Sequence, residues 1–167
     1  MCGIVGYIGN KKAQNIIING LKRLEYRGYD SAGFSTIENS QILTTKTKGK
    51  ISNLSDILVA NKIHNNSIGI GHTRWATHGE PNTKNAHPHN DYTNTFSVVH
   101  NGIIENHYSI KKFLKSKGVK FLSDTDSEVL AQLIGYIYKE QKLDFFNTVK
   151  SALKEVVGAY GIAVIKK

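Results

Sequence analysis

The sequence predicts an α+β domain in which helices cover layers of β-sheet. Short apolar runs typical of strands, such as residues 68–70 and 160–166, recur between longer segments of helical periodicity. Three helical segments follow one another in the second half of the chain, which favours separate layers over a regular alternation of strand and helix. A length of 167 residues suits one domain with a sizeable core.

The individual elements follow from periodicity and from end signals. A short strand covers residues 4–8, and Asn10 can cap a helix that runs to Leu24. The apolar face of that helix would comprise Ala13, Ile16, Ile17, Leu21 and Leu24. We then expect a hairpin of residues 32–37 and 41–48, a helix over 53–62, strands over 67–75 and 95–100, helices over 106–117, 125–140 and 143–157, and a last strand over 160–166. Thr125 and Glu128 have the spacing of a capping box.

Composition excludes several classes of protein. No segment is long and apolar enough to cross a membrane, and no secretion signal is present, so a cytoplasmic location is expected. A single cysteine rules out an internal disulfide and fits a reducing compartment. The net charge of +9 is spread along the chain without a basic block, and no nucleic-acid partner is expected. Only three of the 22 basic residues are arginine, so in this lysine-rich chain an arginine is expected where a planar, bidentate donor is required.

The single cysteine, Cys2, stands next to the initiating methionine. Removal of Met1 would make Cys2 the N-terminal residue, and its free α-amine could then accept the thiol proton. A thiolate formed in this way attacks carbonyl carbon. The alternative is a buried core cysteine, which is common for a lone thiol. Cys2 by itself leaves both interpretations open.

Two apolar strands run into polar loops. The first loop, residues 71–81, contains Arg74, which could bind a carboxylate through two hydrogen bonds, and Trp75, which could cover a ligand. The second contains Asn101 and Gly102, whose side-chain amide and backbone N–H form a reasonable oxyanion hole. A packed surface loop and an ordinary Asn-Gly turn are the alternatives. A helical segment follows Gly102, which makes a hairpin turn a poor fit there.

The remaining polar groups favour no metal or nucleotide site. Asp124 and Asp126 flank Thr125 at a helix start, where capping explains one carboxylate and leaves the other for a cationic group. Seven histidines, among them His87 and His89, suggest zinc, but no pair has helical i,i+4 spacing and no second cysteine is available. We expect no metal and no cofactor. The sequence also has no phosphate-binding loop, dinucleotide fingerprint or GxSxG motif.

Four segments occurring in order carry a family resemblance. They are residues 2–6 (CGIVG), 25–33 (EYRGYDSAG), 72–79 (HTRWATHG) and 100–106 (HNGIIEN). Together they resemble the glutaminase domains of class II glutamine amidotransferases, which are N-terminal-nucleophile hydrolases. The second and third segments are similar to the glucosamine-6-phosphate synthase branch of that family. The resemblance implies a four-layer αββα sandwich, with two antiparallel sheets between helical layers.

The resemblance also implies a role for each matching residue. Cys2 would be the nucleophile towards the amide of L-glutamine, and Asn101 and Gly102 the oxyanion hole. Arg74 would bind the α-carboxylate of glutamine and Asp126 its α-ammonium. The supporting roles would fall to Thr77 and His78 in the glutamine pocket, Trp75 in the loop that closes over it, and Arg27 beside the nucleophile's amine.

The implied partner is a sugar-phosphate isomerase domain that uses the released ammonia to aminate fructose-6-phosphate in a homodimeric full-length protein. Glutaminase domains of this family continue well beyond 167 residues. We therefore expect residues 1–167 to be the N-terminal part of such a domain, without the isomerase domain and with an exposed final strand that weakens activity. Three alternatives stay open: another class II amidotransferase of the purine-pathway or asparagine-forming type, a non-catalytic fragment that only binds glutamine, and, more distantly, a nucleic-acid binder.

Overall fold

The computed structural model describes residues 2–61, 67–75 and 80–167. Within these residues the chain forms seven strands and five α-helices, with a short 3₁₀ helix at Glu25–Arg27. The strands are β1 (Gly3–Ile8), β2 (Ser31–Glu38), β3 (Gln41–Lys48), β4 (Ile68–Arg74), β5 (His89–Asn90), β6 (Phe96–Gly102) and β7 (Tyr160–Lys166). The helices are α1 (Ala13–Leu24), α2 (Ile51–Ala60), α3 (His107–Ser116), α4 (Asp126–Gln141) and α5 (Phe145–Lys154). No helix in the described ranges is long and apolar enough to cross a membrane.

The strands form two antiparallel sheets. Sheet A has the order β1-β4-β2-β3, and sheet B has the order β5-β6-β7. The β1–β4 register pairs Gly3 with Thr73, and the β6–β7 register pairs Gly102 with Tyr160. Every strand pair in both sheets is antiparallel.

Three apolar clusters hold four layers together. Helices α1 and α2 cover the outer face of sheet A around Phe34, and helices α3, α4 and α5 cover the outer face of sheet B around Phe96. A smaller cluster of Ile70, Val99 and Ile165 lies between the two sheets. The architecture is therefore the αββα sandwich that the family resemblance implied.

The alternation of β4 explains how closely the layers approach. Gly69 and Gly71 face α1, and a Cβ atom at Gly71 would lie 2.4 Å from a methyl group of Ile17. Ile70 points the other way, into the cluster between the sheets. Because side chains alternate along a strand, His72 and Arg74 lie on the same inner face as Ile70.

The secondary structure confirms the predicted elements, with four corrections. Strand β6 extends to Gly102, so Asn101 and Gly102 pair with β7 and do not lie in a loop after the strand. Helix α1 begins at Ala13 after Lys12 and has no side-chain cap, so the predicted Asn10 cap is wrong. Its Ile16 is exposed and Ile18 is buried instead, because the helix rotates its apolar stripe towards the facing sheet. Strand β5 was not predicted, since a two-residue strand leaves no periodic signal.

Candidate active site

The ends of β1 and β4 bring the thiol and a guanidinium to one edge of sheet A. Continuing the β1–β4 register by one residue places Cys2 opposite Arg74. Directly opposed residues on an antiparallel pair are close neighbours on the same face. Gly28 allows the preceding loop to pack against this edge, because a Cβ there would lie 2.9 Å from the backbone nitrogen of Trp75.

Strand β6 brings the predicted oxyanion donors to the corresponding edge of sheet B. Val99 lies in the cluster between the sheets, so alternation turns Asn101 towards sheet A. The Asn101 amide nitrogen donates to the backbone oxygen of Cys2 at 3.2 Å. Gly102 has a φ of +134°, and a Cβ there would lie 2.2 Å from the backbone oxygen of Ala159, so only glycine fits this position.

The start of α4 supplies the carboxylate. The Thr125 hydroxyl accepts a hydrogen bond from the backbone N–H of Glu128, which confirms the predicted cap. Asp126 is buried, and its Oδ2 accepts from the backbone N–H of Ile104 at 2.9 Å. Asp124 instead forms an exposed ion pair of 2.8 Å with Lys84. Of the two predicted carboxylates, only Asp126 therefore reaches the site.

These groups line one cavity of about 510 Å³, a size typical of small-molecule sites. Its walls are formed by Cys2, Arg27, Arg74, Trp75, His87, His100, Asn101, Gly102, Ile103, Thr125, Asp126 and Ser127. The cavity thus contains seven of the nine residues that the sequence proposed for the site. The other two, Thr77 and His78, lie outside the described residues.

The Cys2 thiol is partly exposed at the cavity wall. The backbone N–H of Trp75 donates to its Sγ at 3.2 Å, and the Trp75 oxygen lies 3.5 Å from the same sulfur. The Trp75 ring is 47% exposed and meets Tyr29 edge to face, with ring centroids 6.0 Å apart. The backbone of Trp75 therefore holds the thiol, while its side chain remains available to contact a ligand.

Arg74 supplies positive charge in a desolvated position. Its side chain is only 4% exposed. Burial lowers the pKa of the guanidinium, and the nearby groups of Cys2, Asp30 and Asp126 oppose that effect. An arginine nevertheless stays protonated in proteins, so the cavity holds a fixed cation and a carboxylate that can bind the two ends of a zwitterion.

Residues 59–158 match a family described as a glutamine amidotransferase domain. The chain belongs to this family. It is 54% identical over 165 residues to the glutamine–fructose-6-phosphate aminotransferase (isomerizing) of Clostridium tetani, covering 99% of this chain and 26% of that protein. The protein of the same name from Bacteroides thetaiotaomicron is 53% identical over 168 residues, covering 100% and 27%. The amidotransferase domain described here thus spans about a quarter of the length of these curated relatives.

A solved structure supports the fold. The glutamine phosphoribosylpyrophosphate amidotransferase of B. subtilis, complexed with ADP and GMP, superimposes with a TM-score of 0.83 at 26% identity. The match covers 99% of this chain and 35% of that one. The fold is thus that of the N-terminal-nucleophile amidotransferases.

The amidotransferase domain also contains a cluster of buried histidines that the sequence did not assign to the site. The ring of His87 lies 4.2 Å from that of His72, 4.9 Å from that of His89 and 6.5 Å from that of His100, measured between centroids. Burial lowers the pKa of His72 to about 4 and lowers the pKa values of the other three as well. These imidazoles are therefore neutral at physiological pH.

The histidine cluster does not form a metal site within residues 2–61, 67–75 and 80–167. No group of three His, Cys, Asp or Glu side chains in these ranges has a geometry that could hold a metal ion. The rings instead form hydrogen bonds: His89 lies 3.0 Å from the Thr125 hydroxyl, and His100 lies 2.6 Å from the Ser127 hydroxyl. In the sequence these histidines stand out only because they lie in or near the family motifs. That position does not distinguish a buried, hydrogen-bonded histidine from a metal ligand.

A second and larger cavity, of about 810 Å³, lies between β3, β5 and α4. Its lining includes Lys46, His89 and Glu128 but not Cys2. Glu128 is occupied, because its two carboxylate oxygens accept from the backbone N–H groups of Leu122 and Ser123. The predicted nucleophile and the predicted oxyanion donors therefore distinguish the smaller cavity as the candidate active site of the amidotransferase domain.

Proposed function

We propose that this chain is the glutaminase part of a glutamine–fructose-6-phosphate aminotransferase and hydrolyses L-glutamine to glutamate and ammonia. The observation that carries the proposal is the meeting of Cys2, Asn101, Arg74 and Asp126 in one cavity. A thiol, an amide donor, a cation and a carboxylate are the groups needed to attack an amide whose carrier is an α-amino acid. The chain is 54% identical to a relative with that name and 26% identical to the phosphoribosylpyrophosphate enzyme. This difference favours fructose-6-phosphate as the acceptor of the ammonia over the acceptor of another class II amidotransferase.

In the proposed reaction, removal of Met1 frees the α-amine of Cys2. The amine accepts the thiol proton, and the thiolate attacks the side-chain amide carbon to form a C–S bond. Negative charge on the amide oxygen is held by the Asn101 amide and the Gly102 N–H. The C–N bond then breaks, ammonia leaves with the proton returned from the amine, and water hydrolyses the thioester to release glutamate.

The other side chains hold the substrate. Arg74 binds the α-carboxylate and Asp126 the α-ammonium, and both residues line the cavity. Trp75 covers the bound amino acid, and Arg27 positions the amine of Cys2. Thr77 and His78, which lie outside the described residues, complete the proposal by shaping the glutamine pocket.

The acceptor reaction belongs to the whole protein. We propose that residues 1–167 are the N-terminal part of the glutaminase domain and that a sugar-phosphate isomerase domain uses the ammonia to convert fructose-6-phosphate to glucosamine-6-phosphate. The proposal extends to a cytoplasmic homodimer that binds neither nucleic acid nor membranes. The name of a relative that matches 99% of this chain supports the acceptor reaction of this proposal.

Labelling with an electrophilic glutamine analogue tests the glutaminase proposal. Because Cys2 is the only cysteine, the intact mass of the protein identifies the modified thiol without digestion. We expect one equivalent of label on protein that has lost Met1, with loss of glutamate release in parallel. Protein that retains Met1 has its nitrogen in a peptide bond and should label far more slowly. Equal labelling of the two forms would contradict the mechanism and favour a site that only binds glutamine.

Arg74→Lys tests the proposed clamp on the amino acid. Lysine keeps the charge but cannot form two parallel hydrogen bonds to a carboxylate. We expect KM for glutamine to rise more than kcat falls, by an amount corresponding to about 1.5–3 kcal/mol for a lost charge-assisted hydrogen bond. Arg23→Lys, on the last turn of α1, is the matched control and should leave both constants unchanged. An unaltered kcat/KM in Arg74→Lys would exclude Arg74 from substrate binding.

A further inference from the structure

The proposed nucleophile and the proposed oxyanion donor stand on different sheets. Cys2 precedes β1 in sheet A, whereas Asn101 lies on β6 in sheet B. The apolar cluster between the sheets is small and non-directional, so it does not by itself fix a side-chain amide against a thiol. A misplacement of about 1 Å can cost about a hundredfold in rate, so a directional contact between the sheets is needed.

His72 supplies such a contact to the side chain of Asn101. Its Nε2 on β4 lies 2.8 Å from the Asn101 Oδ1 on β6. Both residues lie on the inner faces of their strands, and His72 is fully buried. The second ring contact of His72 is with His87, whose Nδ1 lies 3.2 Å from the same Nε2.

The donors and acceptors in this chain of contacts can be assigned from one end. The backbone oxygen of Cys2 can only accept, so the amide nitrogen of Asn101 must be the atom that faces it, at 3.2 Å. The amide oxygen of Asn101 then faces His72, and the His72 Nε2 must carry the proton. That proton is shared with the His87 Nδ1, which must accept and therefore carries no proton.

This assignment fixes the second hydrogen of the Asn101 amide. A side-chain amide has two N–H bonds in one plane, and the first is used on the Cys2 backbone oxygen. The second is available to the cavity that Asn101 lines. If the amide were turned over, its oxygen would face both Cys2 and a developing oxyanion, and repulsion would replace stabilisation.

We propose that His72 is a positioning residue whose Nε2–H holds the Asn101 amide with its nitrogen towards Cys2. The oxyanion donor on sheet B is thereby kept in a fixed position relative to the nucleophile on sheet A. The proposal rests on the proposed glutaminase function for its kinetic consequence, but the hydrogen bond itself does not. A side chain that merely fills space here would be apolar, as its strand neighbour Ile70 is. Burying an imidazole is costly unless its hydrogen bond is used.

Replacement of His72 by leucine and by glutamine separates orientation from packing. His72→Leu removes the donor, and His72→Gln retains an N–H at a similar reach. Loss of one oxyanion donor costs about 10²–10³ in kcat, so we expect misorientation in His72→Leu to lower kcat by about 10- to 100-fold. KM should stay within about twofold, because His72 does not line the cavity. His72→Gln should recover most of the lost kcat.

Two further variants identify the route of the effect. In an Asn101→Ala background, His72→Leu should change kcat by less than about twofold, since the amide it orients is gone. Ser97→Ala is the matched control, because the Ser97 hydroxyl donates to the Ser35 hydroxyl at 2.8 Å in another buried contact between the sheets. It should lower the melting temperature without changing kcat.

Nitrogen-15 NMR of the histidine rings tests the contact independently of activity. At neutral pH we expect the His72 proton on Nε2 and the His87 proton on its own Nε2. A His72 ring protonated on Nδ1 instead would overturn the proposal, as would an unchanged kcat in a folded His72→Leu protein. If the wild-type protein releases no glutamate while the NMR shows the expected tautomers, the proposed function fails and the hydrogen-bonded link between the sheets stands.

Discussion

Cys2→Ala is expected to abolish glutamine hydrolysis. Alanine has no atom that can form the C–S bond, and loss of a nucleophile in comparable hydrolases costs on the order of 10⁴-fold or more in kcat. Cys2→Ser keeps a hydroxyl in place of the thiol and should weaken the reaction severely, because serine is the poorer nucleophile when its only base is an amine. Glutamate release, measured with and without each substitution, gives the result directly.

Substrate binding should survive the same change. Arg74 and Asp126 sit on β4 and at the start of α4, and neither depends on the thiol for its position. Calorimetry should therefore show glutamine bound by Cys2→Ala with an affinity within about threefold of the wild type, since only a weak thiol contact is lost. Residual turnover above about a hundredth of the wild-type rate would mean that another group is the nucleophile, because such a loss is too small for removal of one.

Acidification from pH 7 towards 4 is expected to destabilise the fold sharply. His72, His87, His89 and His100 are buried, and desolvation is the largest cause that lowers each of their pKa values. The charges of Arg74 and Lys46 act in the same direction on His89. The native state therefore resists protonation at these four rings, whereas the unfolded chain does not.

The direction of the pH dependence follows from the number of protons bound by the folded and the unfolded chain. Below the ordinary histidine pKa of 6.5 the unfolded chain binds protons at these rings, whereas the native state does not. The contribution of the neutral rings to the free energy of unfolding is therefore fully present above that pH and is lost as the pH falls. For His72 the loss continues down to its folded pKa of about 4. Each excluded proton costs about 1.4 kcal/mol per pH unit, so His72 alone loses about 3 kcal/mol across this interval. Burial also lowers the pKa values of His87, His89 and His100, so these rings add to the loss of stability in the same direction.

Urea unfolding at a series of pH values between 8 and 4.5 measures this effect. His72→Gln cannot be protonated, so its slope should be shallower than that of the wild type by about 1.4 kcal/mol per pH unit. Asp124 and Asp144 do not obscure the result, because their lowered pKa values act only as the pH falls below the ordinary value of 3.8. A free energy of unfolding that stays constant between pH 6.5 and 5 would show that the rings are protonated in the native state.

Local pattern alone was enough to predict most of the secondary structure. The hairpin of β2 and β3, the three helices of the second half and the final strand lie close to the predicted positions, because each has an unbroken period of 2 or 3.6 residues. The Thr125 cap was also correct, since the hydroxyl accepts from a backbone N–H only three residues away. The Glu128 carboxylate, however, accepts from Leu122 and Ser123 and does not close the capping box. The two-residue β5 had no such period, and its existence depends on pairing with β6.

The residues that line the candidate site could be predicted where chemistry depends on residue type and on position at a strand end, whereas their roles stay predictions. A lone cysteine beside Met1, an arginine in a lysine-rich chain and an Asn-Gly pair at the end of an apolar strand each suggested a role before any fold was known. The residue pattern did not choose between Asp124 and Asp126, and only the family resemblance pointed to Asp126. One carboxylate points to solvent and Lys84, while the other points inward to the backbone of Ile104, and the rotation of α4 decides which.

The sequence by itself determined the α+β fold class, the candidate thiol at Cys2 and the polar residues at the ends of two strands. These features follow from composition and periodicity along the chain. Tertiary structure alone decided that His72 meets Asn101 and that four histidines are buried together. Alternation tells which face of a strand a side chain occupies, but the two sheets pack face to face and no backbone hydrogen-bond ladder joins them in the described residues. Which inner side chains touch across that gap is set by the packing of whole layers, a property that no local pattern in the sequence contains.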